Sequence, residues 1–312
     1  MNRERPVAVV IACFNAARTL GATIESALAQ GDLCEIVVVD DGSTDASLQI
    51  ARSFGERVAV LDGPNRGVSH ARNRGAAATK APWLLFLDSD DLLVEGTLAA
   101  RLEVARESGA NVVICDWDEA ADDGAGKFGK SQRRTLDWAA LRDNAECAIA
   151  DHVWATTAAI LYARPLFEKT GGFRSDLPVI QDARLLFDAA FAGAQFAHAP
   201  HAGAIYRVLP GSLSRRDPAR FYRDILHNGA QIETLWRSRG ALSAAQEQTL
   251  ANIYNTAARG LFSCADAGYF DATAALAALP LAKPLHMRLA NPLARAVGLP
   301  RARALFQLVG RG

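Results

Sequence analysis

Three carboxylates, Asp88, Asp90 and Asp91, fall within four residues, directly after the apolar run Trp83-Leu84-Leu85-Phe86-Leu87. Like charges this close at the end of a buried strand repel one another unless a cation or a set of donors answers them. A hard divalent ion relieves that repulsion by taking the carboxylate oxygens and completing its shell with water and phosphate oxygens. The cluster therefore points to a phosphate-containing ligand held through manganese or magnesium. The plainer alternative is a capped turn into a helix at Leu92. A second cluster, Asp40-Asp41-Gly42-Ser43-Thr44-Asp45, holds the parts of a tight turn and a helix cap. Turn and cap account for Asp45 but not for adjacent carboxylates at Asp40 and Asp41. A third polar end, Cys13-Phe14-Asn15, closes another apolar run.

The elements that must position these residues are legible as alternating patterns. Apolar runs at 7–13, 36–39, 58–61, 83–87 and 112–115 are separated by helical spacing at 19–30, 45–54 and 98–108. Runs that stay apolar throughout, without in-and-out alternation, suit parallel strands covered on both faces. Open α/β sheets bind ligands at the carboxyl ends of their strands, so all three clusters are expected at one rim. Residues 124–131 read as a loop or hairpin. From 136 to 208 the pattern is mixed, with an apolar run at 157–162 and a helix at 182–191. Beyond Pro218 the chain is alanine-rich and helical. The expected organisation is an α/β domain over residues 1–217, with a mostly parallel, Rossmann-like sheet flanked by helices, and a helical region over 218–312.

Composition excludes several classes. Of 312 residues half are apolar, and 34 basic residues balance 34 acidic ones, so no overall field favours nucleic acid as a partner. Five scattered cysteines, without a C-x-x-C pair, disfavour a disulfide framework and a zinc site and suit a reducing cytoplasm. The apolar stretch near the start is too short for a secretory leader, and no 18-residue apolar run predicts a membrane span. No acidic residue follows Asp271, whereas Lys283, Arg288, Arg295, Arg301, Arg303 and Arg311 all do. Such a basic, apolar tail can lie on an anionic membrane surface, at the inner face of the membrane, or simply pack on the rest of the protein. Pro280, Pro284, Pro292 and Pro300 divide it into short pieces either way.

Four ordered motifs carry a resemblance: the stretch Val7 to Asn15, D-D-G-S-T-D at 40–45, the segment Asn65 to Gly75 containing A-R-N-R-G, and F-L-D-S-D-D at 86–91. Together they resemble family 2 glycosyltransferases of the GT-A fold, densely over residues 7–95 and more thinly to about 215. The resemblance implies an inverting enzyme that moves a sugar from a nucleoside diphosphate, UDP above all, to a glycan, lipid-linked or protein acceptor, in surface polysaccharide or glycoconjugate synthesis.

It also implies roles by position. Ala12 and Phe14 flank the nucleobase, with phenylalanine where relatives more often carry tyrosine, and Asn15 lies beside them. Asp41 accepts from a uracil-type ring next to Asp40. Arg72 contacts base or phosphate. Asp88, with Ser89, meets the ribose or the metal's water shell, and Asp90 binds the metal. Asp91 is a cap or a supporting residue. Later, Gly171-Gly172-Phe173 and Gln181-Asp182 resemble a G-G-F…E-D pattern in which Asp182 is the catalytic base and Gln181 replaces a usual glutamate. The phrase Tyr206 to Ser214 resembles a loop over the diphosphate, with Arg207 as a donor contact and Leu209 where many relatives have histidine. His152, His198 and His201 are given no metal role.

The rivals are weaker. A nucleotidyltransferase or a dinucleotide-dependent oxidoreductase needs a glycine-rich loop after the first strand, and Ala12-Cys13-Phe14-Asn15-Ala16-Ala17 contains no glycine. A catalytically silent module that binds nucleotide sugar on the same fold is the remaining alternative.

Overall fold

The computed structural model describes residues 5–121, 131–209, 216–280 and 285–309. Residues 124–130 of the loop expected at 124–131, the segment Pro210 to Ser214, and Lys283 and Arg311 lie outside the described residues, as does the side chain of Arg288.

The first half alternates strand and helix as its pattern requires: β1 (Val7–Cys13), α1 (Leu20–Leu28), β2 (Cys34–Asp40), α2 (Ser47–Ser53), β3 (Ala59–Asp62), α3 (Val68–Ala77) and β4 (Trp83–Asp88). There follow β5 (Leu92–Leu93), α4 (Thr97–Ser108), β6 (Val112–Ala121), β7 (Gln132–Arg134), α5 (Trp138–Asp151), β8 (Ile160–Ala163), α6 (Arg164–Thr170), α7 (Gln181–Phe191) and β9 (Phe196–Val208). One sheet runs in the order β3-β2-β1-β4-β8-β6-β9-β5, with β7 beside β6. The strands β1 to β4 are all parallel, while β8 joins β4 and β6 antiparallel and β9 returns parallel to β6.

Register brings the motifs together. Cys13 lies opposite Asp40, and Ala12 opposite Asp88, so the ends of β1, β2 and β4 form one edge. Val7 to Ile11 are fully buried, which leaves this register little freedom, because a one-residue slip would send the apolar set to the wrong face.

Two parts of the sheet lay outside the sequence pattern. The strand β6 continues through Asp116, Asp118 and Glu119, and β9 is built largely of alanine, histidine and glycine. These residues have low strand propensity, and β9 is mostly only partly buried, so neither composition nor period marks it. Its pairing with β6 shifts register at Cys115 to Trp117, a bulge that further obscures alternation.

Contacts divide the chain into residues 1–145 with 153–210 and residues 146–152 with 211–312. The boundary expected from the sequence lies after 217, with 146–152 in the first domain. The second unit contains α8 (Pro218–Ser238), α9 (Ala244–Ser263), α10 (Gly268–Ala278), α11 (Leu285–Val297) and α12 (Leu299–Val309). Asp217 caps α8 by accepting from the Arg220 amide, and Ser243 with Gln246 forms a capping box on α9. Ala257, Leu261, Tyr269, Ala290, Ala294 and Ala302 share its core. The apolar side of the basic tail is thus taken up at those alanines, while Arg295 and Arg301 are exposed. Among the described residues no helix is long and apolar enough to cross a membrane.

Candidate active site

The turn after β2 is fixed from inside. Gly42 has φ of 79°, and a side chain there would meet the Asn65 amide nitrogen at 2.7 Å, so only glycine fits. Around it Asp40 Oδ2 accepts from the Ser43 amide at 3.0 Å, while its Oδ1 is buried without a partner. Asp41 accepts from the amides of Arg66 and Gly67, both at 2.8 Å, and so ties the start of α3 to the sheet. Asp41 keeps further lone pairs for a ligand but is only 6% exposed. Asn15 bridges to the same turn: its amide donates to Ser43 Oγ at 3.0 Å and its Oδ1 accepts from the Thr44 amide at 2.8 Å. Asp45 caps this segment through Ser47 and Ala17. Phe14, 49% exposed at the strand end, offers an open aromatic face, and Ala12 beside it is partly exposed.

Arg72 reaches the rim because α3 lies hard against the sheet. A side chain at Gly75 would collide with Val10 and come within 3.1 Å of Val39 Cγ2, so glycine sets the approach. Arg72 is 3% exposed, forms an ion pair with Asp88, and lies over the Phe173 ring at 4.8 Å; its Nη1 is buried without a hydrogen-bond partner. Asn73, next to it, donates through Nδ2 to the Phe173 carbonyl at 2.8 Å and accepts from the Phe173 amide at 2.9 Å. Ser69 adds a bond to the Arg174 carbonyl at 2.8 Å. The A-R-N-R-G and G-G-F segments, a hundred residues apart, are therefore one braced unit.

The acidic cluster after β4 separates into three roles. Asp91 is fully buried, accepting from the Arg207 amide at 2.9 Å and from Thr156 Oγ1 at 3.1 Å; burial, then the charges of Asp90 and Asp88, push it well above the usual carboxylate range. It is a structural anchor. Ser89 holds the turn through its carbonyl, which accepts from Thr23 Oγ1 at 3.0 Å. Asp88 is partly exposed and paired with Arg72. Asp90 is also partly exposed, and a hydrogen bond from its own backbone acts to keep it ionised. Burial and then the neighbouring Asp88 charge push it up to about 6, with Arg207 and Arg72 pulling the other way.

A carboxylate that resists ionisation for these reasons gains most from an added cation. Asp88 and Asp90 thus fit a magnesium- or manganese-type site, where the protein gives one or two carboxylates and phosphate oxygens and water supply the rest. Among the described residues no three potential ligand side chains cluster, so such an ion needs ligands from the substrate.

Arg207, expected as a donor contact, lies against the acidic turn. Its guanidinium is buried, with Nε bonded to the Asp90 carbonyl and Nη2 to Thr23 Oγ1 at 3.0 Å. It holds the backbone of the acidic turn at Asp90. Leu209, by contrast, is partly exposed.

Asp182 lies in the first turn of α7. Its Oδ1 accepts from the Ala183 amide at 2.8 Å and its Oδ2 from Trp154 Nε1 at 3.2 Å. Burial raises its pKa, Arg72 acts to lower it, and Asp88 adds a smaller upward push, so the α7 carboxylate and the rim charges feel one another. Gln181 is buried, with Oε1 unpartnered. Trp154 was not singled out from the sequence, since a lone tryptophan in a mixed stretch carries no spacing signal; only its contact 28 residues along reveals it. His198 pairs with Asp116 at 2.9 Å and stacks on Trp138, and His201 bonds Thr97 Oγ1 at 3.2 Å, away from the acidic turn's own bonds.

A mixed α/β sheet with carboxylates at the ends of its parallel strands, followed by C-terminal helices, is the GT-A type of fold. The chain belongs to glycosyl transferase family 2, whose model matches residues 8–167, just over half of its length. It is similar to the succinoglycan biosynthesis protein ExoO of Rhizobium meliloti (strain 1021), at 34% identity over 218 residues, 67% of this chain and 62% of that protein. The chain thus spans less than two thirds of that curated relative. Among solved structures, S. aureus TarS 1-349 in complex with UDP-GlcNAc is similar with a TM-score of 0.68 and 18% identity, covering 98% of this chain and 92% of the other. The mannosyltransferase PcManGT from Pyrobaculum calidifontis, in complex with GDP-Man and Mn2+, gives a TM-score of 0.57 at 19% identity, covering 98% and 88%. At these identities the two structures speak for the fold alone.

Proposed function

We propose that the protein transfers a sugar from a UDP-linked donor to an acceptor hydroxyl with inversion at the anomeric carbon, in the synthesis of a surface polysaccharide or glycoconjugate. The observation that carries this reading is the electrostatic assembly of Asp88, Asp90, Arg72 and Asp182 at one edge of a family 2 fold. The relatives' printed names support the class of product and donor: ExoO belongs to succinoglycan biosynthesis and TarS was captured with UDP-GlcNAc.

In this reading Phe14, with Ala12 and Asn15, borders the nucleobase, and Asp40 and Asp41 accept from it. Arg72 sets its charge against the diphosphate, and Arg207 keeps Asp90 in place. Asp88 and Asp90 would hold a divalent ion, which when bound supplies charge stabilisation to the departing diphosphate. Asp182 accepts the proton of the acceptor hydroxyl as that oxygen forms its bond to the anomeric carbon. The bond to the diphosphate oxygen breaks and its electron pair leaves with the phosphate. A cytoplasmic setting, at the membrane's inner face for a lipid-linked acceptor, suits the exposed Arg295 and Arg301.

The test is thermal shift against a panel of nucleotide sugars with and without manganese, followed by hydrolysis or transfer assays. A donor present at about a hundred times its Kd should stabilise the protein by about 2.7 kcal/mol. Turnover should vanish in folded Asp90→Ala and Asp182→Asn variants. Turnover surviving both changes would place the chemistry elsewhere, and binding without turnover in the unaltered protein would make it a silent module.

A further inference from the structure

Phe14, Trp154 and Leu305 are the large apolar side chains left exposed among the described residues. Trp154 differs from the other two in being held in place. The Trp117 ring stands at 5.9 Å and 87° to it, and the Tyr206 ring at 5.7 Å and 77°, perpendicular arrangements that suit aromatic quadrupoles and fix the indole plane. Its N–H, which lies in that plane, donates to Asp182 Oδ2 at 3.2 Å. Yet 36% of the residue remains open to solvent.

A rigid indole kept partly bare beside a carboxylate has a specific chemical use. The axial C–H bonds of a pyranose form an apolar face that covers an aromatic ring, while its hydroxyls project from the rim towards polar groups. Exposed apolar area on the ring is removed from water when a sugar lies on it. A carboxylate bonded at the edge of the same ring is then within reach of a hydroxyl on the stacked sugar.

We propose that Trp154 is the platform of the acceptor subsite, taking a pyranose ring against its indole and presenting one of that ring's hydroxyls to Asp182. This rests on the reading of Asp182 as the base. It adds that the acceptor is itself a sugar, and that Trp154 both binds it and orients the carboxylate that deprotonates it.

The experiment compares the unaltered protein with Trp154→Phe, which keeps a flat ring, and Trp154→Leu, which keeps apolar bulk without one. Methyl β-D-glucopyranoside, methyl β-D-galactopyranoside and methyl α-D-mannopyranoside serve as probes, in the presence of UDP and manganese, read by saturation-transfer NMR. At least one probe should receive saturation on its ring protons from the unaltered protein and from Trp154→Phe, and lose about tenfold in affinity with Trp154→Leu. Equal binding by Trp154→Leu and Trp154→Phe, or no saturation of any probe by the unaltered protein, overturns the subsite. Hydrolysis of the donor found by the panel separates the two layers. If Asp182→Asn abolishes hydrolysis while probe binding ignores the change to leucine, the subsite alone fails. If hydrolysis survives Asp182→Asn, the underlying assignment of the base fails with it.

Discussion

Arg72→Met removes the buried cation that answers the carboxylates of the rim. Losing one partner of a fully buried ion pair costs about 3–5 kcal/mol, because the other charge is left unpaired. Arg72 is 3% exposed, but the Asp88 side chain is 33% exposed, so solvent screens part of the loss, roughly halving it to about 2 kcal/mol. The contact of the guanidinium with the Phe173 ring, at 4.8 Å, adds about 0.5–1 kcal/mol. The expected destabilisation is therefore about 2–3 kcal/mol, or roughly 5–10 °C in Tm for a unit of this size. Urea and thermal denaturation measure it directly. Two further results must accompany it. Arg72→Met combined with Asp88→Asn should recover at least about 1 kcal/mol, since the stranded charge is gone. Manganese together with UDP should raise the Tm of Arg72→Met more than that of the unaltered protein, because the proposed ion would substitute for the missing cation at Asp88 and Asp90. A loss under about 1 kcal/mol, or a double variant no better than the single, would refute the view that Arg72 holds the rim together electrostatically.

Asp91→Asn should keep the fold within about 1 kcal/mol, since an amide carbonyl can still accept from the Arg207 amide, whereas Asp91→Ala leaves that amide and Thr156 unpaired and should cost about 2–3 kcal/mol in denaturation. Because Asp91 titrates well above its unfolded value, its contribution is complete below pH about 4 and declines as pH rises through the folded value, so Asp91→Asn should gain on the unaltered protein between acid and neutral pH. Gly75→Ala, with no room against Val10 and Val39, should lower stability by about 1–3 kcal/mol and weaken donor binding through displacement of Arg72, as read by melting and by thermal shift with donor. Donor hydrolysis should fall on the acid side at a pH above the ordinary aspartate value of about 4, because Asp182, as the proposed base, has to be ionised and burial raises it; Trp154→Phe, by removing a donor to the ionised form, should move that limb higher still. Manganese affinity in the presence of UDP, measured by titration calorimetry, should decline as pH falls below about 6, where Asp90 takes up a proton.

The parallel strands were legible because burial on both faces leaves an uninterrupted apolar signature, and the acidic clusters because like charges at strand ends demand an explanation. Strand β9 was not, since its alanines and histidines are recruited by pairing with β6 and not by their own preference. The helix α3 was equally silent, being read as a motif before it was read as an element. Roles were harder than positions. Asp88, Asp90 and Asp91 are alike in sequence, and only burial and partners distinguish a paired rim carboxylate, a carboxylate short of a cation, and a buried anchor. Arg207 could be placed near the rim by its neighbours in sequence, but which side of Asp90 it occupies depends on Thr19 and Thr23, nearly two hundred residues away. Trp154 was invisible for the same reason: its significance lies wholly in what it touches.

The clasp between Asn73 and residue 173 has a consequence for how this chain can change over generations. Asn73 engages only main-chain atoms of its partner, so as far as the clasp is concerned position 173 tolerates any residue with an amide hydrogen. Position 73 has no such latitude, because the carboxamide must give and receive in the same stroke; aspartate offers no hydrogen and leucine offers nothing. Drift at that one site would loosen two distant stretches of polypeptide at once, whereas insertions in the connecting loops would leave them joined.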